Sequence, residues 1–393
     1  MGNSIYHSQS IYKYLLENKI CQHFTHTVIR HIMAILVAVF VSGYRGKTVQ
    51  IAQVNPRHRT TVAHFLNEGK WDSHWLMEWQ KAMVVKIIYE EASRTGKPIQ
   101  CIVDDTIASH TKPSSQAKHP IQDAYFHQSH LKRKQDYGHQ AVAVMLSCNG
   151  IVLNYTIVLY DKSRSKIDIV QEIAKELPVA PVLSYFLCDS WYTCVKVMDA
   201  FVRKGFYTVG ALKTNRVIYP CGIKQQISQF AQFIRKSDEN VNLVTVDGRQ
   251  FYVYRYTGNL NDIEDAVVLI SYPKEAFGVP SAVRAFICTD DSMTTMEILE
   301  QYIQRWPIEV FFRQAKNKLA LDKYQIRSAT GIKRFWLLMS LAHLICCTRN
   351  NQVSSFEEGY AFFQKAIRSE QIEYIYSCGV HHVPLDKVLS FVA

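Results

Sequence analysis

No C-x-x-C pair occurs among the ten cysteines of this 393-residue chain. Cys346 and Cys347 are adjacent and bridge each other poorly, so neither a disulfide framework nor a zinc site is expected. The cysteines read as reduced, mostly buried thiols of a cytosolic protein. The start, Met1-Gly2-Asn3-Ser4, has no charged stretch followed by an apolar one, and no signal peptide is expected. Long apolar runs are missing too. The longest, Ile32 to Val41, covers half of what a bilayer requires and reads as a buried helix. Internal repeats and low-complexity segments are absent. Acidic residues are the scarcer charge, 34 against 45 Lys and Arg, for a net charge of +11. Such an excess favours a polyanionic partner, nucleic acid before membrane surface. What is present is apolar: hydrophobic residues make up 48% and charged residues 20% of the chain. That balance excludes a disordered polymer, and the length allows two or three domains.

Residues 1–95 have helical apolar spacing, through Ile11, Tyr14 and Leu15, then Val28 to Val41, then Trp75 to Ile88. Between the last two lie Arg45 to Ala52, a break at Asn55-Pro56, and Arg57 to Leu66. Two short helices about a tight turn, the second opening with Arg57 and Arg59, suit helix-turn-helix docking on DNA. An ordinary helical hairpin with a solvated basic face has the same pattern. The character changes at Gly96-Lys97-Pro98. Ile99 to Val103 reads as a strand ending at Asp104-Asp105-Thr106. The polar stretch Ser109 to Tyr137 reads as a mobile basic loop, and His110, His119, His127, His130 and His139 show no metal-ligand spacing. Gln140 to Cys148 and Ile151 to Tyr160 form a hairpin about Asn149-Gly150. A helix follows (Ser165 to Leu177), then a strand (Leu183 to Cys188) ending at Asp189-Ser190-Trp191-Tyr192, a helix (Thr193 to Lys204) and a strand (Phe206 to Leu212).

This order predicts an α/β fold: an RNase H-like core with a mixed five-stranded sheet flanked by helices. Its first part is 96–214 and its last part 291–350. Residues 215–290 are β-rich and read as an inserted β-rich subdomain, too long for a loop. An all-helical N-terminal domain (1–95) precedes the core and a helical tail (351–393) follows it.

In such a sheet Asp104 and Asp189 end adjacent strands, at the carboxyl edge where α/β folds place their ligands. Asp105 is the alternative first carboxylate, since alternation sends it to the opposite face from Asp104. On a late helix beginning at Thr294 or Thr295, Tyr302, Arg305, Glu309 and Lys316 fall within an arc of roughly 60°. Pro307 inside that stretch kinks the helix or marks its true start. Three carboxylates suit two Mg²⁺ ions, which make a nucleophile and neutralise a phosphorane. The cations beside them suit phosphate oxygens. Trp191 has two readings, a stacking surface for an unpaired base or a core residue beside a strand end.

Tyr302, Arg305, Glu309 and Lys316 stand at the spacing of the Y-R-E-K signature, and here the chain resembles the IS4-type bacterial DDE transposases. Asp104-Asp105-Thr106 is similar to their first aspartate motif, Asp189-Ser190-Trp191-Tyr192 to their second. The resemblance spans roughly residues 98–345; the N-terminal region matches only in kind. It implies a transposase of an insertion sequence that cuts at element ends and joins the 3′ ends to target DNA. It implies Mg²⁺ as cofactor, with Mn²⁺ able to substitute, and a homodimer on double-stranded DNA in the bacterial cytoplasm, at the nucleoid, with no membrane. Carried over, Asp104, Asp189 and Glu309 hold metal, and Tyr302, Arg305 and Lys316 hold DNA phosphate near the cut. A metal-dependent nuclease without strand transfer and a non-cutting DNA-binding descendant remain the alternatives.

Overall fold

The computed structural model describes residues 8–392 apart from 42, 55–57, 119, 130–133, 262, 350 and 351. Six helices come first: α1 (Gln9–Glu17), α2 (Ile20–His23), α3 (His26–Phe40), α4 (Thr48–Val54), α5 (Arg59–Asn67) and α6 (Ser73–Thr95). The apolar run from Ile32 lies in α3 and is buried throughout Ile32–Phe40. Thr25 and Asp72 cap α3 and α6 by accepting from backbone N–H groups three residues on, and Gly96 ends α6 at a φ of 67°. Among the described residues no helix is long and apolar enough to cross a membrane.

The sheet begins with β1 (Gln100–Ser109), β2 (Tyr125–Ser129), β3 (Lys134–Cys148) and β4 (Ile151–Tyr160). Next come α7 (Lys166–Glu176), β5 (Ser184–Cys188), α8 (Val195–Val202) and β6 (Phe206–Leu212). β3 pairs antiparallel with β1 and β4, while β1, β5 and β6 run parallel. The resulting order, β4-β3-β1-β5-β6, is a mixed five-stranded sheet compatible with an RNase H-like core. Asn149 and Gly150, both at positive φ, turn β3 into β4. Ser165 opens α7 with a reciprocal capping box to Asp168.

The sheet does not stop at five strands. β7 (Val217–Ile218), β8 (Gln225–Gln226), α9 (Ile227–Phe230), β9 (Val241–Val246), β10 (Arg249–Leu260), β11 (Ile263–Pro273) and β12 (Arg284–Cys288) follow. β12 pairs antiparallel with β6, and β11, β10, β7 and β8 continue outward, so twelve strands among the described residues form one sheet. The physical reason is the free edge of β6, whose backbone groups need partners. The added strands keep an apolar cluster of their own around Leu260, Val268, Ile270 and Ile287.

The stretch 109–137 is not the expected loop throughout. β1 runs on to Ser109, and β2 and the start of β3 pair within the stretch. Gly138, opposite Ser109, has no room for a side chain, since a Cβ there would lie 2.1 Å from the Ala108 carbonyl oxygen. His139 is fully buried. Its Nε2 donates to the Gln122 carbonyl at 2.8 Å and its Nδ1 accepts from the Tyr324 hydroxyl at 2.7 Å. Burial holds His139 below the usual imidazole range, and His110, which faces it, falls to about 4. His127 is buried as well, and His119 and His130 lie outside the described residues.

Five helices finish the chain: α10 (Thr295–Ile303), α11 (Pro307–Lys318), α12 (Ala329–Cys347), α13 (Phe356–Val380) and α14 (Leu385–Val392). α12 is the central post, packed on α3, α5, α6, α13 and β4. Burying its apolar surface on several sides stabilises the join between the N-terminal helices and the sheet.

Candidate active site

The late helix is two helices. α10 ends at Ile303, and Pro307 is the first residue of α11, where its missing N–H costs nothing. Between them the chain tightens. The N–H groups of Gln304, Arg305 and Trp306 bond three residues back, and Gln304 and Trp306 keep right-handed helical dihedrals. The single continuous face expected for Tyr302, Arg305, Glu309 and Lys316 is thus divided. Tyr302 lies in α10, Arg305 in the tight turn, Glu309 in the first turn of α11 and Lys316 in its last turn.

Strand register brings the two aspartates together. Val103 pairs with Cys188 across parallel β1 and β5, so Asp104 and Asp189 are the next residues on neighbouring strands; Asp189 follows the end of β5, but Asp104 does not end its strand as expected, because pairing with β3 carries β1 on to Ser109. Strands so paired lie about 4.8 Å apart. Glu309 reaches the same place through Arg305. Arg305 Nη1 donates to Asp104 Oδ2 at 2.5 Å and Nη2 donates to Glu309 Oε1 at 3.3 Å. One guanidinium spans both acids, so those oxygens are at most about 8 Å apart. The ion pairs are not surface ornaments: the Asp104 and Arg305 side chains are only 14% and 16% exposed, Glu309 40%.

The triplet after β1's apolar half divides its work by strand alternation. Asp104 faces Arg305. Thr106 Oγ1, two residues on, accepts from Lys316 Nζ at 2.7 Å. Asp105 points the other way. Its Oδ1 takes Lys166 Nζ at 2.9 Å and the Tyr192 hydroxyl at 2.8 Å, and its Oδ2 accepts from Gln140 Nε2. Of the two candidates for the first carboxylate, the structure brings Asp104 and not Asp105 to Arg305 and Glu309.

The electrostatics are those of a pocket short of positive charge. Burial pushes the Asp104 carboxyl up to about 7; Arg305 pulls it down and Asp189 pushes it up again. Asp189 is also raised, mainly by burial, against a bond from the Trp191 N–H at 2.9 Å. Arg305 is driven further above its usual value by its carboxylate neighbours, against the opposing effect of burial. Tyr302 is raised by burial, while Arg305, 5.9 Å from its ring centroid, lowers it.

All three acids offer oxygen donors, the kind that hard divalent cations take, and two are protonated more readily than free carboxylates. Donor type therefore fits a divalent ion; the present placement does not, since among the described residues no three His, Cys, Asp or Glu side chains stand together closely enough to hold one ion. Arg305 lies between Asp104 and Glu309 and bonds both.

Further out, α5 is fixed to the core. Arg334 Nη1 donates to the Phe65 and Leu66 carbonyls at its last turn, and Ser328 Oγ donates to Asn67 Oδ1 at 2.6 Å. Arg59 is exposed at the start of α5; Arg57 lies outside the described residues. The sequence reading missed Lys166 and Lys213, whose ammonium groups lie 4.6 and 4.9 Å from the Trp191 ring centroid. Neither belongs to a motif, and only the fold brings them there. Trp191 itself is 51% exposed and not a core residue.

The family model described as a transposase DDE domain matches residues 95–345. No curated protein matches the chain.

Proposed function

The chain belongs to the transposase DDE-domain family, and on that premise we propose an IS4-type insertion-sequence transposase that cuts DNA at element ends and joins the 3′ ends to target DNA. The observation that carries the reading is the bridge from Asp104 through Arg305 to Glu309, with Asp189 on the neighbouring strand. Asp104 and Asp189 flank the point where β5 ends beside parallel β1, and Arg305 links the first of them to Glu309. Two divalent ions, Mg²⁺ with Mn²⁺ as substitute, would be held by Asp104, Asp189 and Glu309; when bound they supply the activated oxygen nucleophile and neutralise charge on the phosphorane.

The chain's own residues do the rest. Burial raises the Asp104 carboxyl to about 7, so holding a divalent ion would require it to give up its proton. Arg305, freed from the acids, and Lys316, in reach of Thr106, take phosphate oxygens beside the scissile bond. The Tyr302 ring packs against Phe286 in a tilted contact, 4.7 Å between centroids.

In this reading residues 1–95 bind duplex DNA through α4 and α5, with Arg59 at the start of the second helix and Arg57, two residues earlier in the sequence, as the contacting cations. Residues 96–214 and 291–350 make the catalytic core, 215–290 the insertion and 351–393 a tail. Two copies act on paired ends. Purified protein incubated with Mg²⁺ and DNA carrying the element's ends should nick at the tips and join them to a target. Nicking without joining would instead mark a nuclease, and binding without nicking a non-cutting descendant.

A further inference from the structure

α6 turns Leu76, Gln80, Val84 and Ile88 into the core at four-residue spacing, and Gln80 is the polar member of that stripe. It is 3% exposed, and neither polar atom of its carboxamide has a hydrogen-bond partner. α12 repeats the anomaly. Ser340 lies between Met339 and Leu341 in an apolar run, 4% exposed, with its hydroxyl unpartnered. Unpaired buried donors and acceptors cost stability that leucine or alanine at the same places would not, and such local conflicts gather at functional sites. Gln80 and Ser340 border the same cavity, of about 370 Å³, between α6, β4, α7 and α12. Arg334, whose Nε has no partner either, borders it too. Asp104, Asp189 and Glu309 are not among its walls.

The charges around the cavity answer one another. Lys81 bonds Glu176 at 2.7 Å and Glu78 at 3.1 Å, Lys333 stands 3.6 Å from Asp161, and Arg164 is paired with Glu172. A charged occupant gains a counter-ion only by breaking such a pair. Between the charges the walls are apolar, from Met77, Ile157, Ile169, Ile173 and Leu337.

We propose that this cavity binds an uncharged small molecule with an amide edge, a primary amide or a lactam, on an apolar body. A carboxamide presents N–H and C=O side by side. An amide edge presents the same two groups in reverse order, so the pair closes two hydrogen bonds. The four unpartnered atoms are covered in the free protein. Gln80, with rotatable bonds along its whole side chain, turns its carboxamide onto the occupant, and the Ser340 hydroxyl and Arg334 Nε–H stand behind it as further donors. The volume falls in the range of small-molecule pockets. The proposal is independent of the transposase reading.

The test uses the full chain without DNA or metal, and benzamide as the probe. Toluene offers the same ring without the edge, and benzoate the ring with a charge. In titration calorimetry benzamide should bind about 10-fold or more tightly than either, and it should raise the unfolding temperature with occupancy. Gln80→Leu should leave the free protein no less stable and bring benzamide and toluene within about threefold of each other. Should that variant misfold, Ser340→Ala should weaken benzamide about 3- to 10-fold. In crystals soaked with benzamide, its amide should face the Gln80 carboxamide. Equal binding of benzamide and toluene by the wild type, or benzamide binding undiminished in both variants, would overturn the proposal. So would ordered waters joining Gln80 to Ser340 that benzamide leaves in place.

Discussion

Asp104→Asn should change how stability depends on pH, and by an amount that follows from the site. The Asp104 carboxyl lies at about 7 in the folded protein, against about 3.9 in an unfolded chain. Between those values the folded state holds a proton that the unfolded state has lost, so stability falls as pH rises through the window. Three pH units at about 1.4 kcal/mol each set an upper limit of about 4 kcal/mol. Asn carries no charge at any pH and avoids this loss. Near pH 4 Asp104 is protonated in the folded protein, so the variant exchanges a neutral acid's hydrogen bond with Arg305 for an amide's, a difference of about 1 kcal/mol. The variant should therefore stand within about 1 kcal/mol of the wild type near pH 4 and gain steadily on it up to pH 7. Urea unfolding of metal-free protein at half-unit pH steps reads the difference directly. Added Mg²⁺ at a hundred times its Kd should stabilise the wild type by about 2.7 kcal/mol and the variant far less. Parallel pH curves together with equal Mg²⁺ stabilisation would refute the assignment of Asp104 as a buried, metal-facing acid.

Glu309→Gln should lower cutting by about 10³-fold or more, since several kcal/mol of charge stabilisation go with the third acid, while gel-shift affinity for DNA stays nearly intact. Lys316→Ala should slow single-turnover cutting roughly 10²-fold and reduce the slope of log affinity against log salt by about one. Arg334→Ala removes the side-chain donor of the Leu66 carbonyl, while the Phe65 carbonyl keeps the Trp71 indole N–H; a loss of about 1–3 kcal/mol in urea unfolding is expected, with weaker duplex binding if α5 reads DNA. Binding of random duplex by the wild type should fall steeply with salt, as counterion release requires, and a flat response in filter binding would count against a DNA partner.

Much of the fold was legible because local chemistry and global placement agreed. Asn149-Gly150 between two apolar runs specified a hairpin, Phe206–Leu212 read as a strand from end to end, and Thr294 announced α10 as a cap. The twelve-strand sheet was not legible. Nothing in the 215–290 segment says which edge its strands will join, because that depends on β6 offering unpaired backbone groups far away in sequence. The helix periodicity around Glu309 misled by one detail. It put Tyr302, Arg305, Glu309 and Lys316 on one face, but Pro307 begins a new helix, and Arg305 approaches both acids from the turn between. Strand alternation alone left Asp104 and Asp105 open. The register with β5 and the direction of Arg305 separate them, and both are tertiary facts. The buried histidines near β2 failed for a related reason: composition made 109–137 look solvated, and only packing against Tyr324 and Trp336 shows why His139 sits neutral in a core.

The most direct measurement is anomalous diffraction at the manganese edge from crystals of the full chain with Mn²⁺ and an element end. The account predicts manganese coordinated directly by the carboxylate oxygens of Asp104, Asp189 and Glu309, with the Arg305 guanidinium turned away toward phosphate. Manganese bound elsewhere, with Arg305 still joining Asp104 to Glu309, would contradict it.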